Sequence, residues 1–191
     1  MTVLVLGLVL FFGIHSLSIV NEPFRNRMVA RLGEWPFKGV YSLIALAGLI
    51  GIIWGYGLAR QEPVLLYTPP VWLRHVAMVL LLPVFPLLLA TYLPGRIKLK
   101  LNHPMLVAVK LWALAHLLAN GMLHDVLLFG GFLAWAVVDR ISLKRRQPRS
   151  IPTLPATGFN DVVAVVIGLA IYGAFITGGH YWLVGVEPVA F

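Results

Sequence analysis

The sequence predicts an all-α polytopic membrane bundle of about six transmembrane helices, on three observations. Of its 191 residues, 60% are hydrophobic and 12% are charged, with a mean hydropathy of +0.89. A soluble domain carries about 25% charged residues. The apolar residues fall in blocks close to the ~20 residues that cross a bilayer core. The basic residues gather in alternate connections between those blocks, the pattern that sets membrane orientation. One integral membrane domain over residues 1–191 follows, with the lipid bilayer as its first partner. The net charge of +8 reads as a topology determinant and gives no reason to expect nucleic acid.

The expected spans are residues 2–20, 39–58, 72–93, 104–120, 122–138 and 161–179. The first holds no charge, and it lacks a basic leader and a small-residue cleavage motif, so it reads as a retained helix. In the second, Gly48, Gly51, Gly55 and Gly57 allow close helix approach. Pro83 and Pro86 predict a kink in the third. The fourth and fifth are joined by a short turn through Asn120 and Gly121, and the apolar run 126–138 is only about 20 Å long as a helix. His124 and Asp125 are therefore expected at the outer interface, or else the hairpin is partly shielded by its neighbours. Asn160-Asp161 is read as the cap of the last helix.

Loops 21–38, 94–103 and 139–160 carry twelve basic residues, against Arg60 and Arg74 on the other side. This asymmetry predicts those three loops on the cytoplasmic face and both termini on the outer face.

There is no cysteine, which excludes disulfides, thiolate ligands and cysteine nucleophiles. Gly-x-Ser-x-Gly elbows, phosphate loops and dinucleotide fingerprints are also absent. No carboxylate lies at mid-depth in a span, which argues against a proton-coupled transporter.

Histidine carries the remaining chemistry. His15 and His116 lie inside apolar segments on different helices, where ionisable side chains are costly. Two such histidines on different helices are the minimum set for a bis-histidine haem or a metal site. The competing reading is that each satisfies a hydrogen bond within the bundle. His116, Asn120 and His124 stand at i, i+4 and i+8, one face of an unbroken helix that Gly121 can interrupt. His103 precedes Pro104 at a helix start, where it or Asn102 can cap. His75 and His180 fall at the outer interface, the latter beside Tyr181 and Trp182 in an aromatic belt.

Several blocks together resemble one family. They are Ile14-His15-Ser16 followed by Arg25 and Arg27, then Tyr41-Ser42-Leu43 with Trp54-Gly55-Tyr56. His103-Pro104-Met105 follows, with Leu111-Trp112 leading through His116 to Asn120-Gly121. Phe129-Gly130-Gly131-Phe132 and His180-Tyr181-Trp182 complete the set. The chain resembles the NnrU family of bacterial membrane proteins along essentially its whole length. The resemblance implies a link to denitrification and nitric oxide metabolism. It also implies kinship with ζ-carotene isomerase, a membrane enzyme that uses haem b with histidine ligation.

Carried onto this sequence, His15 and His116 would be the haem iron ligands. His103, Asn120, His124 and His180 are secondary candidates. The isomerase has a cysteine three residues before its second histidine; here Ala113 stands there, so thiolate ligation is not available. The ligand expected is a small hydrophobic or gaseous molecule, and the activity implied is of isomerase or redox type.

Two alternatives stand beside this reading. One is a non-enzymatic membrane assembly factor for denitrification enzymes, docking through the basic segment 139–149. The other is a lipid-modifying enzyme similar to the phospholipid and isoprenylcysteine methyltransferases. That similarity rests on His103-Pro104, but Asn102 replaces the expected arginine and the later Arg-Glu pair is missing.

Overall fold

Long apolar runs rich in Leu, Ala and Ile leave the backbone no partners but its own, and a helix is the single-segment answer. The computed structural model describes residues 1–147, 149 and 151–188. These hold eleven α-helices and one π-helical turn; Leu65 and Met122 form an isolated antiparallel bridge. Pro148 and Ser150, within the predicted basic loop 139–160, lie outside the described residues.

The helices cluster into two compact units. The first comprises residues 1–69 and 120–148, and the second residues 70–119 and 149–191.

The first unit contains α1 (Thr2–His15), α2 (Leu17–Val20), α3 (Glu22–Leu32), α4 (Glu34–Ala59) and, after the second unit's first insertion, α9 (Leu123–Ser142). Helices α1 and α4 pack along glycine. A Cβ on Gly7 would lie 2.5 Å from the Ile52 amide nitrogen, and one on Gly48 2.7 Å from that of Phe11. Gly55 abuts the backbone of Leu4 just as tightly, whereas Gly57 faces open space. The predicted glycine stripe is therefore a backbone-to-backbone seam at three of its four positions: Gly48, Gly51 and Gly55.

The segment 21–38, expected as a loop, contains the polar helix α3. Asn21 caps it by accepting from the Phe24 amide at 2.9 Å, Pro23 occupies its first turn, and Gly33 ends it at φ 87°. The Arg25 guanidinium lies 5.1 Å over the Phe37 ring of α4. Low hydrophobicity concealed α3, whose formation rests on capping and docking.

The second unit contains α5 (Leu73–Leu81), α6 (Val84–Tyr92), α7 (Arg96–Leu101), α8 (Pro104–Ala119), α10 (Phe159–Ala174), a π-helical turn (Phe175–Gly179) and α11 (His180–Val184). The predicted proline kink is present between α5 and α6. Pro83 takes the N-cap of α6, and Pro86 sits in its first turn, where no amide donor is required. Val84, Leu87 and Ala108 form the buried centre, with Leu88, Leu111 and Trp112 packed against it. Helix α10 meets α6 where Gly168 touches Pro86.

Asn160 and Asp161 do not cap α10. Asn160 donates to the carbonyls of Pro94 and Pro155, both at 2.9 Å. Asp161 accepts from the amides of Arg96 (2.7 Å) and Ile97 (3.1 Å), capping α7 instead. A cap read from neighbours in sequence is here supplied across the fold.

Among the described residues, three helical stretches are long and apolar enough to cross a membrane: Glu34–Ala59, Leu73–Tyr92 and Phe159–Val184. These correspond to the second, third and sixth expected spans. The first expected span is helical only to His15, with a turn at Ser16 before α2. Its 14 residues reach about 21 Å, and the 16 of α8 about 24 Å, short of a ~30 Å core on their own. Helix α9 has 20 residues but carries Asp125 near one end and Asp139 and Arg140 near the other. The expected count of six thus becomes three full-length apolar helices plus shorter or end-charged ones.

Candidate functional site

In the first unit, α1 delivers His15 at its last residue. Its Nδ1 lies 2.7 Å from the Phe11 carbonyl oxygen. A carbonyl only accepts, so Nδ1 carries the proton and the lone pair resides on Nε2. The ring stacks on Phe11 at 4.1 Å and meets Tyr41 of α4 edge-on at 5.4 Å. It also meets Trp135 of α9 at 5.9 Å and 89°. The Trp135 indole N–H is buried without a hydrogen-bond partner among the described residues. Three helices thus hold one imidazole in an aromatic surround with an unused donor beside it.

A second polar cluster closes the other end of this unit. His124 and Asp125 are each only 4% exposed. The Tyr56 hydroxyl donates to Asp125 Oδ1 at 2.5 Å, and the Met122 amide donates to Oδ2 at 3.3 Å. His124 Nε2 stands 3.7 Å from Oδ1, beyond hydrogen-bond range. Its Nδ1 is buried with no hydrogen-bond partner among the described residues.

A clasp lies over this cluster. The amides of Leu66 and Tyr67 donate to the Gly121 carbonyl at 2.9 and 3.2 Å, and the Leu123 amide to that of Val64 at 2.8 Å. The Tyr67 hydroxyl donates to the Asn120 carbonyl at 2.8 Å. Burial, and then the Asp125 carboxylate, raise the Tyr67 phenol above its ordinary range.

The shared face of His116, Asn120 and His124 does not exist. Helix α8 ends at Ala119, Asn120 and Gly121 are non-helical, and α9 begins at Leu123. Gly121 is pressed against the Tyr67 backbone, so no side chain fits where the helix would have to continue. His124 and Asp125 are shielded by neighbours, as one of the two sequence expectations had it. Tyr56 and Tyr67 were missed as site residues. The available signal was a phenol near the polar end of an apolar run.

In the second unit, His116 repeats the His15 arrangement. Its Nδ1 is 2.7 Å from the Trp112 carbonyl oxygen, and the Trp112 ring lies 5.3 Å away. His180 has its Nδ1 2.7 Å from the Val186 carbonyl oxygen, and its ring centroid is 6.5 Å from that of His116. His103 stands before Pro104, the first residue of α8 as predicted, and its backbone carbonyl accepts from Leu106 at 3.1 Å. His75 is exposed.

An imidazole that donates Nδ1–H to a backbone carbonyl is the usual form of a metal-ligating histidine, because that bond fixes the tautomer and ring orientation. His15, His116 and His180 all meet this requirement. Among the described residues, no group of three or more His, Cys, Asp or Glu side chains could hold a metal ion. In the basic segment, Arg146 is paired with Asp139 and both are largely buried, which withdraws one charge from any docking surface.

No curated protein and no solved structure matches the chain. The family model described as NnrU protein matches residues 3–188. With nearly its entire length covered, the chain belongs to the NnrU family.

Proposed function

We propose that this NnrU family protein binds haem b in a bacterial inner membrane, with His15 and His116 as its iron ligands. The observation that supports this is the matched Nδ1–H bond of each histidine to the carbonyl four residues earlier, both at 2.7 Å. That bond turns a costly intramembrane histidine into an oriented Nε2 donor. Phe11, Tyr41 and Trp135 give His15 an aromatic surround in the first unit, and Trp112 lies beside His116 in the second. The unpartnered Trp135 N–H is a donor for a polar atom on a bound group.

These residues would hold the haem, which would supply electron transfer or an iron site for nitric oxide or a polyene. The chain's part is to fix ring orientation and exclude water. The basic loops are placed on the cytoplasmic face, with both termini periplasmic.

The test is the absorption and electron paramagnetic resonance spectrum of the protein purified in mild detergent, oxidised and reduced. A Soret band with sharp reduced α and β bands is expected, and His15→Ala and His116→Ala should each change the ferric resonance spectrum. A colourless protein after haem addition, or spectra unmoved by both substitutions, would overturn the reading. A reporter on the C-terminus that is active in the cytoplasm would refute the orientation.

A further inference from the structure

We propose that the first unit holds a binding site for one phosphatidylethanolamine molecule, a lipid whose head carries a phosphate and a primary ammonium. The site is a groove of about 290 Å³ between α2, the start of α3 and the C-terminal end of α9. All of its lining residues belong to the first unit. It joins segments 21–38 and 139–160, which the charge asymmetry puts on one face of the membrane. A groove between them sits at headgroup level.

The lining divides by chemistry. Ile19, Val138 and Ile141 are apolar, whereas Glu22, Arg145 and Arg146 are charged. Val138 and Ile141 are 50% and 51% exposed. They stand at i and i+3 on α9, with Arg145 about one turn further on. An apolar wall that ends at a guanidinium matches the boundary between acyl chain and phosphate in a phospholipid, and basic pockets of this kind bind lipid heads.

The charges select the head. Arg146 is ion-paired with Asp139, so its charge is met within the protein, but its Nε–H is buried without a partner among the described residues. Arg145 is exposed and enters none of the ion pairs among the described residues. This wall offers guanidinium donors to an oxyanion, and arginine–phosphate bonds are among the stronger hydrogen bonds. Glu22 puts a negative charge on the same groove, which a purely anionic lipid has nothing to answer. A carboxylate has acceptor capacity for several donors; a primary ammonium supplies such donors and a quaternary one lacks them. Among the described residues no aromatic ring lines the groove, so the aromatic cage that recognises choline is missing. Outside the Arg146–Asp139 pair, one positive and one negative lining charge fit a zwitterion with N–H donors.

The experiment is native mass spectrometry of the full chain released from mild detergent. It follows incubation with phosphatidylethanolamine, phosphatidylglycerol or phosphatidylcholine of identical acyl chains. Wild type is expected to retain one phosphatidylethanolamine in preference to either other lipid. Arg145→Ala should lower that retention about tenfold, the equivalent of one charge-assisted bond. Glu22→Gln should abolish the preference over phosphatidylglycerol while lipid remains bound. Lys144→Ala removes an equal charge from outside the lining and should change nothing. Arg145→Gln, which keeps most of the stem, serves the same comparison if alanine lowers helix content.

Equal retention of the three lipids by wild type, or retention of none, would overturn the site. Lys144→Ala matching Arg145→Ala would overturn it too, by reducing the attraction to general surface charge. A dimer that Arg145→Ala dissociates would give the groove to a second copy of the chain instead. Soluble phosphoethanolamine that displaces the lipid at equal concentration would remove the apolar wall from the site and end the proposal. None of these outcomes depends on haem.

Discussion

The Tyr56 hydroxyl donates to Asp125 Oδ1 at 2.5 Å across 69 residues of sequence, tying the last turn of α4 to the first turn of α9. Asp125 is 4% exposed, so this carboxylate depends on its donors in place of water. Hydrogen bonds to charged groups contribute roughly 1.5–3 kcal/mol, and a buried acceptor left short costs a similar amount. Tyr56→Phe is therefore expected to lower unfolding stability by about 1–3 kcal/mol. Asp125→Asn, which can still accept from Tyr56, should cost less than Asp125→Ala. Denaturant unfolding in detergent checks both; a Tyr56→Phe variant as stable as wild type would show the bond to be idle.

The glycine seam separates two substitutions that look alike in sequence. Gly55→Ala drives a methyl into the backbone of Leu4, whereas Gly57→Ala meets nothing within 4 Å. Backbone cannot move aside as a flexible side chain can, so Gly55→Ala should separate α1 from α4. Gly57→Ala should be neutral or stabilising by up to about 1 kcal/mol, from helix propensity alone. Engineered cysteines on α1 and α4 would report the difference. Their crosslinking should fall in Gly55→Ala and persist in Gly57→Ala.

Asp161 provides a third test. It satisfies two amide donors at the start of α7, and loss of a cap typically costs about 0.5–2 kcal/mol. Asp161→Ala should raise amide hydrogen exchange at Arg96 and Ile97 while leaving α1 and α4 unchanged. Equal protection at both amides in the variant would exclude the capping role.

The clasp carries a pH dependence through Tyr67. Its phenol is raised above the ordinary 10.0, by burial first and the Asp125 carboxylate second. The protonated form donates to Asn120, and deprotonation removes the donor. A group whose folded pKa is raised contributes stability that is fully present below its unfolded value. That contribution is lost as pH rises through the folded value. The clasp should therefore hold below pH 10 and loosen above it, and Tyr67→Phe should remove this alkaline step. Ultraviolet phenolate titration, followed alongside stability, checks the sign.

By itself the sequence determined that this is an all-helical membrane protein, where the proline break falls and where α8 begins. These properties are local: apolar run length and a missing amide at proline act within a single segment. Tertiary structure decided the partners. Asp161 caps α7 and not its own helix, Gly121 is held against Tyr67, and Tyr56 reaches Asp125. His180 stands with its ring centroid 6.5 Å from that of His116. Each of these joins groups far apart in the chain. A hydrogen bond or close approach of that kind depends on which helix faces meet, and the helical period within one segment does not specify that.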